Sequence, residues 1–144
     1  RLHVSAYAML AEPVGGAART GIGFARGCGA RVSVDLSSWS AIRDAGAATV
    51  RELLGEVGPD VIFANTAEEE IIGGPLPGVT WIRKRGADGC DFDGEHRAAI
   101  AVKAVIDTTG AGDALAAGWI LGGPDLALEA AARCVQQVGA VPTG

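Results

Sequence analysis

The chain has 144 residues, of which 49% are hydrophobic and 20% are charged, and its formal net charge is −5. These values exclude a disordered chain and suit one folding unit with a continuous core. The only cluster of basic residues is Arg83, Lys84 and Arg85. A nucleic-acid partner is therefore not expected, and a small molecule fits the charge balance better.

No apolar run reaches the roughly 18 to 20 residues that a membrane helix needs, and no basic segment precedes an apolar stretch near the first residue. We therefore expect a soluble, cytoplasmic protein without a membrane partner. The three cysteines, Cys28, Cys90 and Cys134, are widely spaced. This spacing fits neither a disulfide framework nor a zinc site, so buried free thiols are expected.

The first half of the chain alternates between apolar segments of strand and helix character. The pattern predicts a strand at 31–35, a helix at 40–54, a strand at 61–64, a helix at 66–72 and a strand at 79–83. Ser40 is the expected N-cap of the first of these helices, and Gly55 its expected end. Such alternation is typical of an α/β fold around a mainly parallel sheet, in which ligands bind at the carboxyl ends of the strands.

The second half begins with β-like segments at 90–92 and 98–106, and His96 is expected in a polar turn between them. A helix should follow at 113–121. Gly123 and Pro124 then favour the start of a last helix, which is expected to end at Gly139. The predicted apolar face of that helix consists of Leu126, Ala130, Cys134, Val135 and Val138.

The segment 107–113, with the sequence DTTGAGD, carries the most chemical information. Gly110 and Gly112 permit backbone conformations in which successive N–H groups point into one concavity, and at a helix N-terminus such a concavity attracts phosphate. A carboxylate at Asp113 is a poor phosphate ligand, but it suits a base that removes a proton from an attacking hydroxyl. The alternative is an ordinary glycine-rich turn in which Asp113 only caps a helix.

Together with ALAAG at 114–118, this string closely resembles the C-terminal signature of the PfkB, or ribokinase-like, carbohydrate kinases. The resemblance implies a three-layer α/β/α fold with a mainly parallel sheet. It also implies that Gly110, Ala111, Gly112 and Asp113 form an anion hole for the phosphate that ATP transfers, with Asp113 as the catalytic base.

The sequence NTAE at 65–68 is similar to the family's Asn-x-x-Glu motif. That similarity implies that Asn65 and Glu68 help to place Mg²⁺, partly through water, and Mg²⁺ prefers oxygen ligands and keeps several waters. The same two residues also have the spacing of a helix capping box, and both roles can hold at once.

Two further sets of residues match family positions. Gly86 and Gly89 match a turn near the nucleotide, although a plain hairpin turn explains them equally well. Asp107, Gly139 and Thr143 resemble positions that surround a monovalent cation in some relatives, which implies K⁺, and Gly139 lies where the adenine loop is expected. Asp35, at the end of a predicted strand, is left unassigned.

The resemblance extends over residues 2–144, whereas family members are longer and begin with a half that carries the substrate signature and the lid. We therefore expect residues 1–144 to be the C-terminal, ATP-binding and catalytic portion of an ATP-dependent kinase for a sugar or nucleoside hydroxyl. The chain would be a truncated form, or a subunit completed by another chain, and it would expose an apolar edge prone to self-association. The alternative is a non-catalytic α/β module that binds a nucleotide or another anion.

Overall fold

A computed structural model describes residues 1–140. The chain divides into two compact units, Arg1–Arg83 and Lys84–Gly144. The predicted Thr143 position lies outside the described residues. In the part of the chain that the structure describes, no helix is both long enough and apolar enough to cross a membrane.

The first unit is built on strands β1 (Leu2–Ser5), β2 (Val32–Asp35), β3 (Val61–Asn65) and β4 (Thr80–Lys84), in the spatial order β1-β2-β3-β4. β1 pairs with β2, and β2 with β3, in parallel. Every residue of β2 is buried, as are four of the five residues of β3. Such burial on both faces is typical of parallel strands covered by helices on either side.

Five helices accompany these strands: α1 (Ala6–Met9), α2 (Val14–Gly27), α3 (Trp39–Ala45), α4 (Ala47–Val57) and α5 (Thr66–Ile72). The core of the unit joins strand residues such as Val34 and Ile62 to helix residues such as Ile42 and Leu54, all four fully buried. The predicted strands at 31–35, 61–64 and 79–83 and the helix at 66–72 are confirmed to within one residue.

The single helix predicted at 40–54 is wrong. Gly46 interrupts it with a φ of 87° and a ψ of 139°, so two helices meet there. The N-cap of α3 is Ser38, whose hydroxyl accepts a hydrogen bond from the backbone N–H of Ala41, rather than Ser40. Gly55 lies inside α4, which ends at Val57 and has Gly58 as its C-cap in the left-handed conformation. Apolar spacing alone did not reveal this break, because both helices present apolar residues to one core.

The second unit contains a 3₁₀ turn (Gly86–Asp88), the antiparallel strands β5 (Cys90–Phe92) and β6 (Glu95–Arg97), and α6 (Ala111–Cys134). The segment 98–106 forms no strand, contrary to prediction, and β6 instead includes His96. The turn sits earlier, because Asp93 and Gly94 both adopt positive φ, the conformation of a tight two-residue hairpin loop.

Helix α6 begins two residues earlier than predicted and is interrupted at Gly123, whose φ of 80° and ψ of −164° are not helical. The expected start of a new helical segment at Pro124 is therefore confirmed. The helix ends at Cys134 rather than at Gly139. Its predicted apolar face is only partly right, since Cys134 is buried but Val138 is 80% exposed.

The three free cysteines differ in their burial. Cys90 and Cys134 are buried as predicted, whereas Cys28 is exposed, contrary to prediction.

Candidate functional site

The loop before α6 is shaped by Gly110, which is the N-cap of the helix and has a φ of 79°. A Cβ atom at this position would lie 2.4 Å from the Cβ of Ala140, closer than atoms can approach. Both the backbone conformation and the close contact therefore require glycine here. The segment after α6 thus packs directly on the loop that the sequence motif identifies.

The first turn of α6 presents backbone donors at its N-terminus. The N–H of Ala111 donates to the carbonyl of Thr108 at 3.2 Å. Gly112 and Asp113 follow as the second and third helical residues, and N–H groups of a first turn have no acceptor inside the helix. The helix dipole adds positive partial charge at the same end. In this conformation Gly112 and Asp113 are better placed than Ala111 to donate to an anion.

Asp113 is exposed and lies within the first turn, whereas the N-cap is Gly110 and no side chain makes a capping hydrogen bond. The alternative in which Asp113 serves as the helix cap is therefore wrong. Its carboxylate is exposed to solvent in the same turn as the first-turn amides. A proton acceptor thus lies next to an anion-attracting helix end.

Asp107 ties the beginning of the loop to the segment after α6. Its Oδ1 accepts from the N–H of Thr109 at 2.8 Å, and its Oδ2 accepts from the N–H of Gly139 at 2.9 Å. These hydrogen bonds, that of Thr109 first, hold the pKa of Asp107 below its ordinary value. Of the three residues predicted around a monovalent cation, the structure joins Asp107 and Gly139 through a direct hydrogen bond.

Cys134 supports the loop from behind and was not predicted to do so. Its buried thiol donates to the carbonyl of Thr109 at 3.4 Å. Burial raises the pKa of this thiol, and the charges of Asp107 and Asp113 raise it further. The thiol therefore supports the loop through this hydrogen bond and through its buried packing.

Gly86 and Gly89 bound the 3₁₀ turn, with φ values of 60° and 101°. A Cβ at Gly89 would lie 2.1 Å from the carbonyl oxygen of Arg97, so this glycine is required by the approach of β6. No atom lies within 4 Å of a Cβ built at Gly86. Packing thus explains Gly89, and the nucleotide-binding role of both glycines stays a prediction.

Asn65 and Glu68 belong to the first unit, where they form the capping box of α5. Asn65 Oδ1 accepts from the N–H of Glu68 at 2.9 Å, and Glu68 Oε2 accepts from the N–H of Asn65 at 2.8 Å. Glu68 is only 2% exposed. The capping role is confirmed. The magnesium role stays a prediction, and no group of three or more His, Cys, Asp or Glu residues suited to a metal ion occurs among residues 1–140.

A second polar group lies at the carboxyl ends of β1 and β2. Asp35 is 2% exposed, and its Oδ1 accepts from the N–H of Ser37 at 2.8 Å. Ser37 has a positive φ of 65°, and the hydroxyl of Ser5 donates to its hydroxyl at 2.9 Å. Asp35, unassigned from sequence, therefore holds a tight turn at the sheet edge where ligands of parallel sheets gather.

No protein-family model matches the chain, and no curated protein matches its sequence. Solved structures do match it, at sequence identities of 20–24%. At this level the likeness shows the fold: the chain has the ribokinase-like α/β fold of the PfkB kinases, which confirms the predicted fold class.

Three matched structures illustrate the likeness. Adenosine kinase from Sinorhizobium meliloti superposes with a TM-score of 0.84 and 21% identity, over 98% of this chain and 50% of that chain. A protein described as ribokinase II from Escherichia coli, in complex with ATP and Mg²⁺, gives 0.78 and 21%, over 96% and 53%. Aminoimidazole riboside kinase from Salmonella enterica, complexed with aminoimidazole riboside and an ATP analogue, gives 0.79 and 24%, over 96% and 57%. The chain thus spans about half the length of these proteins.

Proposed function

We propose that this chain is the nucleotide-binding and catalytic portion of an ATP-dependent kinase that phosphorylates a hydroxyl group of a sugar or nucleoside-like molecule. The observation that carries the proposal is the first turn of α6. There the amides of Gly112 and Asp113 and the exposed carboxylate of Asp113 share one helix end. Donors for a phosphate and an acceptor for a proton are the two groups that phosphoryl transfer to an alcohol needs.

In the proposed reaction the Asp113 carboxylate takes the proton of the acceptor hydroxyl. The hydroxyl oxygen forms a bond to the γ-phosphorus of ATP while the bond from that phosphorus to the bridging oxygen of ADP breaks. The first-turn amides hold the oxygens of the phosphoryl group in transfer. The products are the phosphate ester and ADP, and the proton leaves from Asp113 to solvent.

Mg²⁺ would bind near Asn65 and Glu68. The oxygen donors of these residues suit the ion, but both are engaged in the capping box. Water-mediated contact therefore fits them better than a closed set of protein ligands. When bound, the ion would neutralise charge on the ATP phosphates. The chain's own contribution at this point is to hold Glu68 in one orientation.

Asp107 and Gly139 would help to hold K⁺. In the described conformation Asp107 Oδ2 accepts from the N–H of Gly139, so Asp107 would bind the ion with its remaining lone pairs. The nucleotide base would contact the turn at Gly86 and Gly89 and the segment at Gly139.

Support for a sugar or nucleoside-like acceptor comes by analogy from the matched structures. Two of the matched proteins are named for nucleoside or riboside substrates, and this chain spans half of their length. We expect residues beyond this half, on the same polypeptide or on another chain, to provide acceptor contacts. Alone, the chain should bind Mg-ATP weakly.

The direct test is calorimetry of Mg-ATP on a folded sample, followed by phosphate-transfer assays with a panel of sugars and nucleosides. The assays are run on the chain alone and with a polypeptide that corresponds to the uncovered half of the matched kinases. Weak ATP binding with transfer in the mixture supports the kinase. Binding without transfer in either case indicates the non-catalytic nucleotide-binding module, and an absence of heat at millimolar ATP contradicts both.

A further inference from the structure

The three consecutive basic residues at the end of β4 have different surroundings. Arg83 pairs with the carboxylate of Glu69, and Trp81, two residues before it, donates to the same carboxylate. Arg85 pairs with Asp91, at 2.6 Å between Nη2 and Oδ2. The two arginines are thus paired with two different carboxylates. Side chains alternate along a strand, so Lys84 points to the opposite face from Arg83.

Lys84 lies against the loop that begins α6. A Cβ built on Gly112 would be 3.4 Å from its Nζ and 3.6 Å from its Cδ. The ammonium group and its aliphatic stem thus run alongside the backbone of Gly112, whose N–H belongs to the first turn. A Cβ at this position would be in ordinary van der Waals contact with the lysine, so the side chain of Lys84 and the backbone of Gly112 are direct neighbours.

Resting on the proposed function, we propose that Lys84 is a phosphate-binding residue, whose ammonium group contacts a phosphoryl oxygen of the nucleotide at the N-terminus of α6. Lysine suits this task as a compact charge with three donors on a flexible stem. A positive charge here would also reduce electrostatic repulsion in the site, since Asp113 places a carboxylate beside the highly anionic triphosphate. The ammonium at Gly112 offsets that repulsion while Asp113 stays available as the base.

The chain offers a matched control, because Lys84 and Lys103 are its only lysines. Lys103 is exposed and lies in the segment before the loop. Calorimetry would compare the parent with Lys84→Met and Lys103→Met, using ATP and inorganic tripolyphosphate as probes. Each substitution removes one positive charge, and methionine retains most of the aliphatic stem.

Loss of one charge-assisted hydrogen bond should weaken binding of both probes by about 10- to 100-fold in Lys84→Met, whereas Lys103→Met should bind within about twofold of the parent. A second measurement needs no variant. On the parent chain, ATP should protect Lys84 but not Lys103 from acetylation by acetic anhydride, read by mass spectrometry. Protection of Lys84 supports the inference even where Lys84→Met does not fold.

The failures are distinguishable. A folded parent that binds neither ATP nor tripolyphosphate overturns the proposed function, and this inference with it. A parent that binds ATP, with Lys84 acetylated equally in its presence and absence, overturns the role of Lys84 alone and leaves the kinase proposal standing. Equal weakening by Lys84→Met and Lys103→Met also overturns it, since a general loss of charge then explains the effect.

Discussion

Asp113 stands in the first turn of α6 with its carboxylate in solvent, and the residue that caps the helix is Gly110. A stabilising role for Asp113 is thus limited to its interaction with the helix dipole, about 0.3 to 1 kcal/mol. A general base contributes far more to a rate, about 10²- to 10⁴-fold. A substitution at Asp113 should therefore change the free energy of unfolding only slightly if the residue is structural, and should change the reaction rate strongly if it is catalytic.

We predict that Asp113→Asn lowers the rate of phosphate transfer by about 10²- to 10⁴-fold in an assembly that shows kinase activity. Nucleotide affinity should persist or rise, because one negative charge near the phosphates is removed. The free energy of unfolding should change by no more than about 1 kcal/mol. Transfer rate, ATP affinity and melting temperature are measured on the same sample.

Glu129→Gln is the matched control, since Glu129 is exposed on the same helix, away from the first turn. It should leave all three quantities near those of the parent. A rate for Asp113→Asn within a few-fold of the parent would remove Asp113 as the base. A collapse of folding in that variant would contradict the expected stability.

At the scale of elements, the capping box of α5 places Glu68 in a buried position with Oε2 bound to the N–H of Asn65. Glutamine also serves at this position of a capping box, so Glu68→Gln removes the charge and retains the cap. We predict that the variant needs a several-fold higher Mg²⁺ concentration to bind ATP, while its melting temperature changes little. ATP titrations at stepped Mg²⁺ concentrations measure the first quantity and thermal unfolding the second.

Glu70→Gln is the control, because Glu70 is exposed on the same helix. If Glu68→Gln lowers only the melting temperature, then Glu68 has only the capping role. If both variants shift the Mg²⁺ dependence equally, the effect is one of overall charge.

The β5–β6 hairpin contains a carboxylate whose titration should affect stability. The hydrogen bond from Arg85 lowers the pKa of Asp91 to about 2, with a further contribution from His96, whose Nδ1 lies 2.7 Å from Asp91 Oδ1. The pKa in the folded state is lower than the ordinary value of 3.8. The ionised form therefore stabilises the fold above pH 4, and this contribution is lost as the pH falls toward 2.

We predict that Asp91→Asn flattens the decline of unfolding free energy between pH 4 and pH 2 by on the order of 1 kcal/mol. Urea titrations at stepped pH measure this decline. Asp88→Asn, in the exposed 3₁₀ turn, should retain the slope of the parent. The prediction fails if Asp91→Asn and the parent lose stability in parallel over this interval.

The elements also show where sequence reasoning succeeds. The sequence predicts strand β3 because a short apolar run between turn residues is typical of a buried strand. It predicts α5 because Asn65 and Glu68 have the spacing of residues that begin a helix. The break at Gly46 and the strand containing His96 were missed. A positive φ at a glycine leaves no apolar period to detect, and neither does a strand of three polar residues such as β6. The hydrogen bond between Asp107 and Gly139 and the position of Lys84 beside Gly112 depend on tertiary contacts. The spacing of residues along the sequence does not reveal such contacts.

At the scale of the whole molecule, the arrangement of the first unit leaves surfaces open. β1 lies at one edge of the strand order, with β2 as its neighbour among the described strands. In the same unit, Tyr7, Val14 and Ala41 help to line an apolar cavity of about 520 Å³. Tyr7 is 62% exposed and Val14 is 53% exposed. Both features, a strand at the edge of the described sheet and exposed apolar side chains in the same unit, favour association with another chain.

We predict that the chain self-associates as its concentration rises, and that the double variant Tyr7→Lys, Val14→Lys shifts the association to higher concentration. Two charges in an apolar contact surface must lose hydration on association, which weakens it by several kcal/mol in total unless they find partners. Light scattering over a concentration series measures the mass. Phe24→Lys is the control, because Phe24 is 76% exposed on α2 but does not line the cavity. A parent chain that stays monomeric over the whole series contradicts the prediction, and an equal shift in the control would place the contact outside this surface.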